Sequence, residues 1–126
     1  MTQDKPYILV IEDDKSYGNV FKRKLNHEGF ETEWAPNGKA GIEKIEDKTP
    51  DLIILDLMMP KLDGFGVLEE LKDKDLLGEI KIIVATNLSQ EADIDKVKNA
   101  GADDYFVKSN LSISEMVEKV KEVLEE

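Results

Sequence analysis

Residues 51–64 read DLIILDLMMPKLDG, in which the apolar run 52–59 is interrupted by one aspartate, Asp56, before a short turn follows. Four consecutive apolar residues, LIIL at 52–55, are typical of a β-strand covered on both faces, as in a parallel sheet. A carboxylate at the end of such a strand is hard to keep ionised without a cation or hydrogen-bond donors beside it. The partners of Asp56 must therefore come from other parts of the chain.

Four further segments predict strands. YILVI at 7–11 and IKIIVA at 80–85 are continuous apolar runs, and ETEWA at 31–35 and DYFV at 104–107 are weaker candidates for the sheet edges. Apolar residues at helical spacing follow each strand: Tyr17, Val20, Phe21 and Leu25; Ile42 and Ile45; Val67, Leu68 and Leu71; Ile94 and Val97; and Ile113, Met116, Val117, Val120 and Leu124. This alternation predicts a doubly wound α/β fold with a five-stranded parallel sheet and five helices, in one domain over residues 1–126.

Local residues mark the helix starts. Asp14 is placed to begin the first helix, Asp63 to cap the third, and Ser112 with Glu115 to form a capping box for the fifth. Trp34 is expected to pack at a sheet edge.

Composition excludes several functions. Seventeen basic and twenty-eight acidic residues give a net charge of -11, which opposes direct binding to nucleic acid. The absence of cysteine excludes disulfides, cysteine-based zinc sites and thiol nucleophiles. No apolar run approaches the length of about 18 residues that suggests a membrane span, and the N-terminus lacks the pattern of a signal peptide. We expect a cytoplasmic protein that binds neither membrane nor nucleic acid.

Ligands of doubly wound folds bind beyond the carboxyl ends of the strands. Glu12 and Asp13 follow the first predicted strand, Asp56 the third, Thr86 the fourth and Lys108 the fifth. Carboxylates brought together repel one another unless a cation joins them, and Mg²⁺ prefers oxygen ligands. A carboxylate beside such a metal can attack a phosphoryl group, whose oxygens the ammonium and the hydroxyl would bind. The pattern thus predicts that Asp56 carries phosphate.

The segments ILVIEDD, DLIILDLMMPKLDGFGVL, IIVAT and GADDYFVK resemble the receiver domain of two-component response regulators, the CheY-like family. The resemblance covers essentially the whole chain and implies a flavodoxin-like sheet of order 2-1-3-4-5. It implies that Asp56 accepts a phosphoryl group from a phosphohistidine of a sensor histidine kinase or phosphotransfer protein. It also implies a Mg²⁺ ion that is bound by Asp56, directly by Asp13, through water by Glu12, and by the backbone carbonyl of Met58.

The resemblance further implies a switch. Thr86 would swing toward the phosphoryl group, Lys108 would pair with it, and Tyr105 would change rotamer. The face built from the fourth helix, fifth strand and fifth helix would bind partners, with the protein a monomer or a weak dimer that depends on phosphorylation. In this interpretation the protein is no enzyme beyond its own phosphorylation and dephosphorylation.

Two departures from the family have consequences. Ser109 stands where the family usually has proline after the lysine, and a cis bond before a non-proline residue costs about 3 to 4 kcal/mol, so the bond between Lys108 and Ser109 is predicted to be trans. Met58 and Leu88 are apolar at positions that influence hydrolysis of the phosphoryl group in the family. Since neither side chain can orient water, we expect a long-lived phosphoryl aspartate.

Several alternatives remain open. The chain ends after the fifth helix, so we expect a receiver without its own output domain; a phosphorelay intermediate, or a receiver excised from a larger regulator or hybrid kinase, fits equally. A phosphohydrolase with an aspartyl nucleophile usually needs a second aspartate where Met58 stands. Flavin binding is disfavoured because EDDKSYG is acidic where a phosphate needs donors. A receiver that signals without phosphate is disfavoured because all five site residues are present.

Overall fold

A computed structural model describes residues 5–57, 59, 62–87 and 91–125, with the side chains of residues 91–93 excepted. Five parallel strands form one sheet of order β2-β1-β3-β4-β5. The strands are β1 (Tyr7–Ile11), β2 (Glu31–Ala35), β3 (Leu52–Leu55), β4 (Lys81–Thr86) and β5 (Asp104–Val107). The helices are α1 (Lys15–His27), α2 (Gly38–Asp47), α3 (Gly64–Asp73), α4 (Glu91–Asn99) and α5 (Ile113–Glu125), and a 3₁₀ turn, Lys108–Asn110, follows β5. The predicted fold and strand order are confirmed.

Two apolar cores lie on opposite faces of this sheet. Along β3, Ile53 and Leu55 pack in one core with side chains of α2 and α3, whereas Leu52 and Ile54 pack in the other with side chains of α1 and α5. All four side chains are almost completely buried. Because successive residues of a strand point to opposite faces, a strand covered on both sides must be apolar at every position. This explains the uninterrupted run LIIL.

The predicted helix starts are confirmed. The Asp14 carboxylate accepts a hydrogen bond from the backbone N–H two residues later at 2.9 Å, and Asp63 accepts one from three residues later, also at 2.9 Å. In the capping box, the Ser112 N–H donates to Glu115 Oε1 at 3.0 Å, and the Glu115 N–H donates to Ser112 Oγ at 3.2 Å. Each cap satisfies backbone donors that the first helical turn leaves without partners.

Two details of the predicted elements are wrong. Strand β4 begins and ends one residue later than predicted. Val20, assigned above to the buried face of α1, is 43% exposed, and the buried face consists of Gly18, Phe21 and Leu25. Successive helical residues are rotated by about 100°, so Val20 lies well away from Phe21 on the helix surface. Gly18 lies on the buried face of α1 but has no apolar side chain, so the spacing of apolar residues does not reveal its burial. The apolar spacing pointed to Val20 instead.

No helix in the described part of the chain is long and apolar enough to cross a membrane.

Thr32 of β2 provides a test of packing. Its side chain is buried, and its hydroxyl has no hydrogen-bond partner within the described residues. An unsatisfied buried polar group costs about 1–3 kcal/mol. We therefore expect Thr32→Val to raise the free energy of unfolding by about 1 kcal/mol, measured by urea denaturation, and Tm by about 3–6 °C. The exposed Thr49→Val is the control, with a change within about 0.5 kcal/mol. A loss of stability in Thr32→Val would show that the hydroxyl is satisfied.

Candidate functional site

The register of β1 and β3 places two acidic residues side by side. Ile11 lies opposite Leu55, so the next residue of each strand, Glu12 and Asp56, projects from the same edge of the sheet. The Asp56 N–H donates to the carbonyl of Ile11 at 3.0 Å, and the Glu12 N–H donates to the carbonyl of Ala35 at 3.0 Å. Backbone hydrogen bonds therefore position both residues directly beyond the last strand pairs.

Strands β4 and β5 bring the remaining predicted residues to this edge. Thr86 is the last residue of β4 and pairs with Val107, so Lys108 comes next in line. Glu12, Asp13, Asp56 and Lys108 line a cleft of about 310 Å³, together with three residues that the sequence did not indicate as site residues: Asp14, Tyr17 and Asn87. Thr86 itself, at the end of β4, is buried.

Lys108 is the cationic partner that Asp56 requires. Its ammonium group contacts Glu12 Oε1 and lies 3.4 Å from Asp56 Oδ2. The same Nζ lies 4.7 Å from the centre of the Tyr17 ring, in the range of a cation–π interaction. All three charged side chains are at least 94% buried. One ammonium group cannot neutralise two ionised carboxylates. If both carboxyl groups were ionised, the three buried side chains would together carry a net negative charge.

The surroundings of Glu12 favour the protonated form of its carboxyl group. Burial raises the pKa of the Glu12 carboxyl from 4.5 to about 8, and its hydrogen bond with Asp56 acts in the same direction. Lys108 and the Asp14 N–H, which donates to Glu12 Oε2 at 3.0 Å, lower this pKa. Burial prevails because desolvation disfavours the charged carboxylate more than these donors stabilise it. The Glu12 carboxyl therefore holds its proton more tightly than an exposed glutamate does.

The site residues fit a divalent cation. Glu12, Asp13 and Asp56 each offer one carboxylate oxygen, and these oxygens lie within 4.8 Å of one another. Opposite ligands of Mg²⁺ are about 4.2 Å apart, because each Mg–O distance is about 2.1 Å. The donors are all oxygen, and Asp13 is exposed at the mouth of the cleft. A metal that binds there would displace the proton of Glu12, since ligands must be deprotonated.

Gly64 explains the end of the motif DLIILDLMMPKLDG. It is the first residue of α3, and its N–H donates to the carbonyl of Leu57 at 3.1 Å. A Cβ atom at this position would lie 2.6 Å from the backbone oxygen of Asp56 and 2.7 Å from Leu57 Cα. Only glycine allows α3 to pack directly on the backbone that carries Asp56. This packing holds the end of β3 in place.

Other predicted residues have different outcomes. Tyr105 is half-buried in β5 and packs against the core on the α2 and α3 face, with Lys98 Nζ 5.7 Å from its ring centre. The bond between Lys108 and Ser109 is trans, as predicted. Met58 and Leu88 lie outside the described residues, so their predicted roles as metal ligand and as tuners of hydrolysis stay predictions.

Comparisons with known proteins agree with this arrangement. A family model described as the response regulator receiver domain matches residues 8–121. The chain is 36% identical over 124 residues to a probable transcriptional regulator ycf27 of Pyropia yezoensis, covering 98% of this chain and 49% of that protein. It is 35% identical over 119 residues to the alkaline phosphatase synthesis transcriptional regulatory protein PhoP of Bacillus subtilis, covering 93% and 48%. The chain thus spans about half the length of both relatives.

A solved structure extends the comparison to three dimensions. The receiver domain of the Francisella response regulator 1452 superposes with a TM-score of 0.89 and 30% sequence identity. The superposition covers 96% of this chain and 98% of that domain.

The raised pKa of Glu12 predicts how stability depends on pH without metal. Between about pH 4.5 and 8 the unfolded chain has released the Glu12 proton whereas the folded protein keeps it, so this group's contribution to stability decreases as pH rises. We expect Glu12→Gln, which cannot ionise, to gain stability relative to the wild type across this interval. Urea denaturation at a series of pH values in EDTA measures the difference. The exposed Glu118→Gln should run parallel to the wild type, and a parallel Glu12→Gln curve would contradict the assignment.

Proposed function

The chain belongs to the response regulator receiver domain family, and we propose that Asp56 is its phosphoacceptor. The phosphoryl donor is a phosphohistidine on a histidine kinase or a phosphotransfer protein. The observation that supports this most is the placement of Asp56: it is buried at the end of the central strand, 3.4 Å from an ammonium group and within reach of two further carboxylates. An oxygen nucleophile, a cation and a set of metal ligands converge there.

In the proposed transfer, a carboxylate oxygen of Asp56 attacks the phosphorus atom. The O–P bond forms as the N–P bond of the phosphohistidine breaks, and the electron pair of that bond returns to the imidazole nitrogen. Lys108, already beside Asp56 Oδ2, neutralises a phosphoryl oxygen. Mg²⁺, held by Asp13, Asp56 and Glu12, would supply further charge neutralisation at the transferring oxygens. The apolar surroundings of β3 exclude water and strengthen these interactions.

Lys108 and Thr86 could both bind a phosphoryl group on Asp56. Lys108 Nζ contacts Glu12 Oε1 and lies 3.4 Å from Asp56 Oδ2. A phosphoryl group on Asp56 offers this ammonium a more highly charged partner, and it offers the Thr86 hydroxyl an acceptor at the end of β4. Only the phosphorylated state provides these contacts, so phosphorylation shifts the population toward the conformation that makes them. Movement of Thr86 would free space for Tyr105, the second residue of β5, to change rotamer.

The output surface is the face of α4, β5 and α5. The two relatives reported above are described as transcriptional regulators, and this chain matches about half of each. We propose that the receiver controls a partner protein or another segment of the same protein. It would do so either directly or as one step of a phosphorelay. Its net charge of -11 opposes direct contact with nucleic acid phosphates, so effects on transcription would pass through that partner.

Phosphorylation tests the proposal directly. We expect the protein incubated with acetyl phosphate and Mg²⁺ to gain the mass of one phosphoryl group, measured by intact mass spectrometry, and to gain none in EDTA. Asp56→Asn should gain none under either condition, because its amide is not a nucleophile. The control Asp95→Asn alters an exposed aspartate of α4 and should react as the wild type does. Phosphorylation of Asp56→Asn to the wild-type extent would refute Asp56 as the acceptor.

Thr86 tests the switch separately from the chemistry. We expect Thr86→Ala to be phosphorylated but to show a conformational shift at Tyr105 at least about tenfold weaker, because a hydrogen bond to a charged group is worth about 1.5–3 kcal/mol. Amide NMR spectra with and without beryllofluoride report the shift. Thr86→Ser keeps the hydroxyl and should retain most of it. Full shifts in Thr86→Ala would remove Thr86 from the switch.

A further inference from the structure

Trp34, the one tryptophan of the chain, connects an edge strand to the acidic site. Its indole lies partly buried on β2, and Nε1–H donates a hydrogen bond of 2.8 Å to the backbone carbonyl of Glu12. The two residues are 22 positions apart in the sequence. The bond therefore joins β2 to the segment that carries Glu12 and Asp13.

The carbonyl of Glu12 needs this donor. The pairing of β1 with β2 ends at Ile11 and Ala35, so the Glu12 carbonyl lies beyond the last strand pair. Glu12 is 1% exposed, and a buried backbone carbonyl without a partner is unfavourable. The indole N–H supplies the hydrogen bond that a backbone N–H would give if β2 continued. Since this carbonyl belongs to the peptide unit between Glu12 and Asp13, the bond orients both acidic residues.

Gly18 makes the contact possible. A Cβ atom at Gly18 would lie 2.3 Å from Trp34 Nε1 and 2.5 Å from Cε2, far inside van der Waals contact. Glycine within a helix is unfavourable relative to alanine, yet here it lets the indole lie directly against the backbone of α1. The absence of a side chain at Gly18 and the hydrogen bond of Trp34 are two separate features of one contact.

The other side of the segment is also held. The Asp14 N–H donates to Glu12 Oε2 at 3.0 Å, while the Asp14 carboxylate caps α1. The peptide between Glu12 and Asp13 thus lies between the indole and the start of the helix. We propose that Trp34 is a positioning residue for the acidic pair, with Gly18 as its matching surface, and that together they preset the carboxylates for a divalent cation. This inference rests on the proposed metal-dependent function.

Magnesium affinity provides the test, with the metal ion alone as the probe. Trp34→Phe removes the N–H donor and keeps an aromatic ring, and we expect it to weaken Mg²⁺ binding by about 3- to 10-fold, the effect of one lost hydrogen bond. The Kd comes from the Asp13 amide shift in NMR titrations, at conditions where urea denaturation shows each variant to be folded. Tyr7→Phe removes a hydroxyl at the opposite end of the sheet and should bind Mg²⁺ as the wild type does.

Gly18 supplies the second variant. Gly18→Ala keeps the indole but displaces it, so we expect a similar loss of Mg²⁺ affinity and faster hydrogen exchange of the indole N–H in metal-free protein. In the Trp34→Phe background the same change should have a smaller effect, because the smaller ring leaves room. Wild-type affinity in both Trp34→Phe and Gly18→Ala would overturn this inference alone. Absence of Mg²⁺ binding by the wild type would overturn the proposed function and this inference with it.

Discussion

The ammonium group of Lys108 contacts Glu12 and lies 3.4 Å from Asp56, and all three side chains are at least 94% buried. Charges removed from water must be compensated by their neighbours, and here the compensation is incomplete. The pKa of the Glu12 carboxyl is raised as a result. Together with the nearby Asp13, Glu12 and Asp56 form an acidic cluster that could hold a metal ion.

Parallel register is what brings this cluster together. The four strands that end in site residues are neighbours in the sheet, through the pairs Ile11 with Leu55, Leu55 with Val84, and Thr86 with Val107. Their carboxyl ends therefore form one edge. The two cores on either side hold the strands in that register, because a slip by one residue would turn apolar side chains to the wrong face. The packing of α3 on Asp56 through Gly64 fixes the central strand end in the same way.

Three contacts between distant segments complete the site, and none was apparent from local sequence. The Trp34 indole donates to the Glu12 carbonyl, the Tyr17 ring lies against the Lys108 ammonium, and Gly64 lets α3 pack on the backbone of Asp56 and Leu57. Apolar periodicity assigned Tyr17 to the core and Trp34 to the sheet edge, which is correct as far as burial goes. Apolar periodicity does not predict which polar atom an aromatic ring contacts, because that depends on how the helices and strands pack against one another.

The sequence by itself determined the five strands and five helices, the capping residues and the set of acidic, hydroxyl and ammonium groups at the strand ends. Those features depend on contacts within a few residues and on the rule that parallel strands share one carboxyl edge. Only the tertiary structure decided that the pKa of Glu12 is raised, that Val20 is exposed and that Trp34 reaches Glu12. Burial, desolvation and close approach are properties of packed elements, and they follow from distances that no local pattern encodes.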